Sequence, residues 1–433
     1  MKEMSKFQLI FMGIFAIFIF VGVAIFALGK FGNNQTTSTV VVWGFLPMSK
    51  WNELASGPTL RGNKLIKFEY VQKTEAGFDQ DLIEALASGK GPDIFFLTQD
   101  SILKHKDKIL PIPYKTLSER DFKDVFVQEG ELYLSKDGVL GLPFTIDPMV
   151  MYWNRTIFSN AGLAVPPKYW SDFYNLSQVL TIKDGSLNIN QSTVALGEYA
   201  NVSHATELMG LLVMQAGGAV SQKIDNQVES TLSNDFNAPI APAVSALSFF
   251  TEFVNPLKPF YSWNRSLPTS KNHFIFGDLA VYFGYASEVE DIQNKNPNLN
   301  FDVAKIPQSK DASEIITFGK INGLAVSKAS KNPSAAIQAA LLLVSKSVLS
   351  ELGVLTNLPP VRKDMLAVRP SDTYMSIFYD GAIQSRGWLS PDKKEADKIF
   401  KEMIESVTGN RRTVSDSVNR ADSELQILFK KMK

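Results

Sequence analysis

The chain has no cysteine. Disulfides, cysteine-ligated zinc, thiolate nucleophiles and iron–sulfur clusters are therefore all excluded. Histidine is scarce, with His105, His204 and His273 the only three in 433 residues. They lie far apart in sequence without ligand-like neighbours, which argues against a metal site. Net charge is also missing, since 44 Lys+Arg balance 44 Asp+Glu. Nothing in that balance draws the chain to nucleic acid, and the basic residues do not cluster with aromatics. The motifs G-x-S-x-G, G-x-x-x-x-G-K-[ST], G-x-G-x-x-G and H-E-x-x-H do not occur. Glu288–Asp291 ("EVED") could be offered as a glycosidase pair but reads better as a solvated helix face. A chain with this profile is expected to be a binding protein without a cofactor rather than an enzyme.

What is present begins with a long apolar run. Lys2 and Lys6 precede "FQLIFMGIFAIFIFVGVAIFAL", Phe7 to Leu28. At 1.5 Å per residue such a helix reaches about 30 Å, the hydrocarbon thickness of a bilayer. A cleavable leader usually has an apolar core of about 7–15 residues. Residues 7–28 are therefore expected to be an uncleaved single-pass anchor in the cell membrane, with the bulk of the chain outside. Small residues at Ala27–Lys30 keep a cleaved leader as the alternative. Residues 29–39, with "GNNQTTST", read as a flexible tether.

Beyond the tether the pattern is α/β. "TVVVW" (Thr39–Trp43) and "KLIKFEYV" (Lys64–Val71) suit buried strands. Phe78, Leu82, Ala85 and Leu86 recur at helical spacing, Gly89 supplies a C-terminal cap, and "DIFFL" (Asp93–Leu97) returns as a strand. Strand–helix–strand of this length is a parallel unit. The second half is more helical. Pro333 follows Asn332 at a helix start, Ala396 to Val407 form an apolar stripe, and Thr413 with Asp416 has capping-box spacing.

One stretch carries a resemblance. "GVLGLPFTIDPMVMYWNRTIFSNAGLAVPPKYWSDFYNLSQVLT", Gly138 to Thr181, is similar to the central signature of extracellular solute-binding proteins that serve ABC importers, in the carbohydrate-type family that includes maltose-binding proteins. Asp147, Tyr152, Asn154, Gly162, Pro166, Pro167 and Trp170 fall on its pattern, while Tyr169 replaces a usual Thr. "ALASGKGPDIFFLTQD", "FIFGDLAVYFGY", "FDVAKIPQS" and "FGKINGLAVSKASKNPSAA" resemble further segments in the expected order. Family members tethered through lipid use a cysteine, so here a transmembrane helix would replace it.

The resemblance implies a two-lobed periplasmic-binding-protein-like fold with a ligand cleft between lobes. Residues 40–145 plus 286–327 would form lobe one, and 146–285 plus 328–433 lobe two. It implies capture of a small solute, a sugar or oligosaccharide, by hinge closure, and delivery to ABC permease subunits. An anchored sensor or adhesion ectodomain on the same fold is the alternative. The resemblance makes "LPFTIDPMVMYWN" the first crossing, with Asp147 facing the cleft to accept hydrogen bonds from sugar hydroxyls. It also places Phe45, Thr98, Gln99, Asp100, Tyr285, Thr317 and Phe318 at ligand loops and crossings. Trp263, in the polar "YSWNRS", and Trp388, in "SRGWLSP", are candidate stacking platforms for a pyranose face. Asn201 and His204 could line the same lobe.

Overall fold

The computed structural model describes residues 37–225, 227–310, 312 and 314–432. The expected anchor, 7–28, and residues 29–36 of the expected tether lie outside them. The tether is shorter than expected at its other end, because Ser38 and Thr39 already belong to the first strand. That strand, β1 (Ser38–Gly44), is followed by α1 (Met48–Ser56), β2 (Ile66–Gln72), α2 (Phe78–Ala87) and β3 (Ile94–Thr98). β1 lies between β2 and β3, parallel to both. Phe78 and Leu82 of α2 are buried, and Gly89 ends the helix at φ +67°. Only glycine adopts that angle without strain.

The chain then enters β4 (Leu142–Asn154), the long strand of "LPFTIDPMVMYWN". β5 (Ile182–Lys183), β6 (Ile189–Val194), α3 (Ala205–Gln215), β7 (Leu279–Tyr285), α4 (Glu288–Lys295) and β8 (Phe301–Ala304) follow. β9 (Thr317–Val326) returns antiparallel along β4. After it come α5 (Pro333–Leu343), α6 (Lys346–Thr356), α7 (Thr373–Gln384), β10 (Ser385–Arg386), α8 (Lys393–Thr408) and α9 (Val414–Lys431). Asp392 caps α8 by accepting from Glu395 N–H, and Thr413 caps α9 by accepting from Asp416 N–H. Among the described residues no single helix is long and apolar enough to cross a membrane.

One sheet runs through the molecule in the order β2–β1–β3–β9–β4–β7–β6–β5, with β8 on β4 and β10 on β9. Its buried side chains divide into two cores. β4 contributes Leu142, Phe144 and Ile146 to the first core and Met149 to Trp153 to the second. β9 runs the other way, giving Phe318 to the second and Ile321, Leu324 and Ala325 to the first. The two strands cross between lobes at the same level, where Asp147 is opposite Lys320 and Pro148 opposite Gly319.

This packing differs from the expected division. Ile292, Phe301, Val303 and Ile306 belong to the second core, because β8 pairs with Met151–Asn154 of β4 and holds its segment there. Ala336 to Leu352 belong to the first core, where α5 packs on β1 and β9, and α6 on α1. β9 itself is the second crossing. A third is made near α7 and β10, since Ala382 and Leu389 join the first core while Phe378 and Trp388 join the second.

Gly319 is fixed by what lies behind it. A Cβ there would sit 1.9 Å from Glu129 Oε2 and 2.6 Å from Ser385 Oγ. Gly319→Ala should therefore force the crossing apart and cost about 1–3 kcal/mol, read as a lower urea midpoint. An unchanged midpoint would show that the crossing yields without strain.

Candidate functional site

The two cores leave a cleft of about 810 Å³ between them, floored by the crossing strands. Lobe one reaches it with the loop after β1 and with Thr98–Lys104 after β3. Lobe two reaches it with Tyr199–Glu207, the turn Tyr285–Glu288 and the start of α8. These are the ends of strands and the starts of helices, where open α/β sheets leave room for ligands.

Seven of the ten residues singled out from the sequence line this cleft: Phe45, Thr98, Gln99, Asp100, Asp147, Tyr285 and Phe318. Phe45 stands edge-on to Phe78, ring centroids 5.0 Å apart. Gln99 is buried and its Oε1 accepts from Ile321 N–H at 3.0 Å, tying the lobe-one loop to β9. Tyr285 lies edge-on to His204 at 4.7 Å.

Three residues lie elsewhere. Trp263 is fully buried in the second core, where its Nε1 donates to Asn201 Oδ1 at 3.0 Å. Asn201 in turn donates to the carbonyls of Asn264 and Leu267, so the polar look of "YSWNRS" reflects a loop folded over its own tryptophan. Trp388 is buried against Phe400, with Gly210 close to its indole. Thr317 is buried and its hydroxyl donates to Met149 O at 2.7 Å, locking β9 to β4. No tryptophan lines the cleft among the described residues.

The cleft also holds His204, one of the residues expected to line lobe two, and two groups not expected there, Glu288 and Lys393. His204 caps α3 in a left-handed conformation, φ 59°, and its Nε2 lies 2.7 Å from Glu288 Oε1. Backbone strain of this kind clusters at functional sites. Glu288, expected on a solvated face, is buried. It accepts from Tyr285 N–H at 2.9 Å and from Tyr282 Oη at 2.8 Å, and pairs with Lys271. Burial opposes its ionisation, but His204, Tyr285 N–H and Lys271 prevail and bring its pKa down to about 2. Lys393, at the first turn of α8, pairs with Glu207 at 3.0 Å. Burial works against its charge, yet Glu207, Asp100 and Asp397 raise its pKa above the ordinary lysine range.

Asp100 and Asp147 behave differently. Burial pushes both up to about 6, against the pull of Lys393 on Asp100 and of Ser287 on Asp147. Asp147 Oδ1 accepts from Ser287 N–H at 3.0 Å. Lys104 spans the cleft, lying 2.6 Å from Asp79 of lobe one and 2.6 Å from Asp392 at the start of α8. Among the described residues no group of three or more His, Asp and Glu is placed to hold a metal. The wall offers acceptors, paired cations and aromatic edges, an arrangement that recognises a polar solute.

Two lobes of α/β structure, three crossings and a polar cleft between the lobes give the architecture of a two-lobed binding protein. The sequence profile described as Bacterial extracellular solute-binding protein matches residues 61–376, and the chain belongs to that family. No curated protein matches it. Among solved structures it is similar to a cyclo/maltodextrin-binding protein complexed with maltotetraose, at TM-score 0.74 and 18% identity over 92% of this chain and 99% of that one. The cyclic alpha-maltosyl-1,6-maltose binding protein of Arthrobacter globiformis gives 0.74 and 15%, over 91% and 100%. The GacH receptor of Streptomyces glaucescens, solved unliganded and with acarbose, gives 0.68 and 16%, over 92% and 100%. At these identities the likeness is one of fold.

Behind the cleft floor sits Glu129, 2% exposed, with no hydrogen-bond partner for either carboxyl oxygen among the described residues. Burial, helped by Asp100, raises its pKa from 4.5 to about 8 against the pull of Arg386 and the nearby Ser385 hydroxyl. A carboxyl whose pKa rises on folding stabilises the protonated protein most. That stability is full below about pH 4.5 and is lost as pH climbs through about 8. Urea unfolding between about pH 5 and pH 9 should therefore show a falling stability that Glu129→Gln flattens. An identical slope in the variant would assign the loss to another group.

Proposed function

We propose that this protein captures a sugar or oligosaccharide in the inter-lobe cleft by hinge closure and hands it to the permease of an ABC importer. Residues 7–28 would hold it at the membrane, with the two lobes outside. The observation that carries the reading is the position of Asp147. Its carboxylate stands in the cleft at the level where both strands cross, so one group contacts ligand and hinge together.

The chemistry suits saccharides. Asp100 and Asp147 present carboxylate oxygens, and the Tyr285 hydroxyl has no partner among the described residues. A sugar hydroxyl left unpaired on burial costs about 1–3 kcal/mol, so a site needs such acceptors in number. Phe45, Tyr285 and Phe318 offer apolar ring surface to the C–H face of a pyranose. Relatives of the same fold hold maltotetraose and acarbose. The volume falls within the roughly 300–1,000 Å³ of ordinary small-molecule sites.

Isothermal titration of the full chain with mono-, di- and oligosaccharides, amino acids and peptides tests this. At least one saccharide should bind, and Asp147→Asn should weaken it about 10–100-fold, the loss of one charge-assisted hydrogen bond. Binding confined to amino acids or peptides would overturn the reading.

A further inference from the structure

The charges of the cleft are paired unevenly. Among the described residues its wall carries eight carboxylates and five lysines. Four of the lysines are already held. Lys104 is shared by Asp79 and Asp392, Lys271 by Glu288 and Asp291, and Lys393 by Glu207 and, at 3.6 Å, Asp397. Lys320 holds Glu75 at 2.9 Å. The fifth, Lys394, is exposed and holds no carboxylate.

Two wall carboxylates are left without a cation, Asp100 and Asp147. Asp100 makes no side-chain hydrogen bond or ion pair among the described residues. Asp147 is met only by Ser287, through its amide at 3.0 Å and its side chain, neither of them a cation. Its register partner across the ladder is Lys320, whose ammonium is turned to Glu75 instead. The nearest cation is thus spent on a residue of lobe one, and both free acids face the ligand space.

A neutral sugar would give these oxygens hydroxyl protons but no opposing charge. As the lobes close and water leaves, two carboxylates would be desolvated against dipoles alone, which is costly. A protonated amine supplies hydrogen-bond donors and the missing charge in one group. Building on the saccharide reading above, we propose that the ligand is a saccharide bearing at least one free amine, read by Asp100 and Asp147. The rings supply only Phe, Tyr and no Trp surface, which leaves more of the recognition to these polar contacts.

The test is titration of the full chain with glucosamine oligomers, their N-acetylated counterparts of equal length, neutral gluco-oligosaccharides and spermidine. The amine-bearing oligomers should bind at least about tenfold more tightly than both the N-acetylated and the neutral ones. Asp100→Asn and Asp147→Asn, each nearly isosteric, should bring the three close together while leaving the thermal melt in place. The unmodified chain gives an independent readout. Affinity for the amine should fall as pH drops below about 6, where both acids take up protons. Lys393, Glu207, Asp397 and Lys320 face Asp100, and Glu288 and Lys320 face Asp147. Equal affinity for acetylated or neutral oligomers overturns this inference and leaves the saccharide reading standing. Binding of spermidine alone, or of no saccharide, overturns both.

Discussion

Two antiparallel strands meeting at Asp147 and Lys320 hold the molecule together. The ladder from Thr145–Asn322 to Pro148–Gly319 is the stretch where β4 and β9 both leave one core and enter the other. Thr317 donates to Met149 O and Gln99 accepts from Ile321 N–H, so each end of the joint is fastened to its own lobe. Tyr133 adds a buried hydroxyl bonded to Leu97 O at 2.7 Å and Ile321 O at 3.2 Å. A pivot built of paired strands bends by small changes over several residues and keeps its register. Asp147 and Lys320 lie at its level.

The same joint explains the electrostatic character of the cleft. Strand crossings bury their backbone but leave side chains on one face turned toward the gap. Asp147 and Lys320 occupy such positions, and Glu129 packs against the other side of Gly319 and Gly387. Three acids, Asp100, Glu129 and Asp147, are thus crowded into low-dielectric surroundings, and burial raises the pKa of each. Lys104 is the counterweight, reaching from lobe one to Asp392, which also caps α8. That contact bridges the two lobes, and its strength depends on salt more than that of the buried joint does.

Much of this was legible in the chain because it rests on local rules. β-branched runs marked the strands, and Thr413 with Asp416 marked the start of α9. "GLPFTIDP" could be read as a crossing because it resembles the family's central signature, and a lone Asp147 in an apolar run fits that position. The misreadings came from long-range packing. Trp263 looked wet by its neighbours in sequence, but its indole is closed in by Asn201, more than sixty residues away. Glu288 looked wet by helical pattern, but His204 and Lys271 come to it from elsewhere. Lys393 gave no local signal, since its role follows from the loop that aims α8 at the cleft. The lobe boundaries were misjudged at β8 and α5 because their packing partners, β4 for β8 and β1 with β9 for α5, decide which core they join, and not order along the chain.

Interleaved lobes have a cost in time. The first core holds Val40 together with Leu389, and the second holds Met149 together with Phe429. Neither can be completed from a contiguous stretch of newly made chain. As the polypeptide emerges, β1 to β3 must wait for β9, α5 and α6, and the strands of lobe two must wait for α8 and α9. Contacts so distant in sequence slow folding and leave apolar faces open meanwhile. The last helix, α9, must therefore be made before the second core can close.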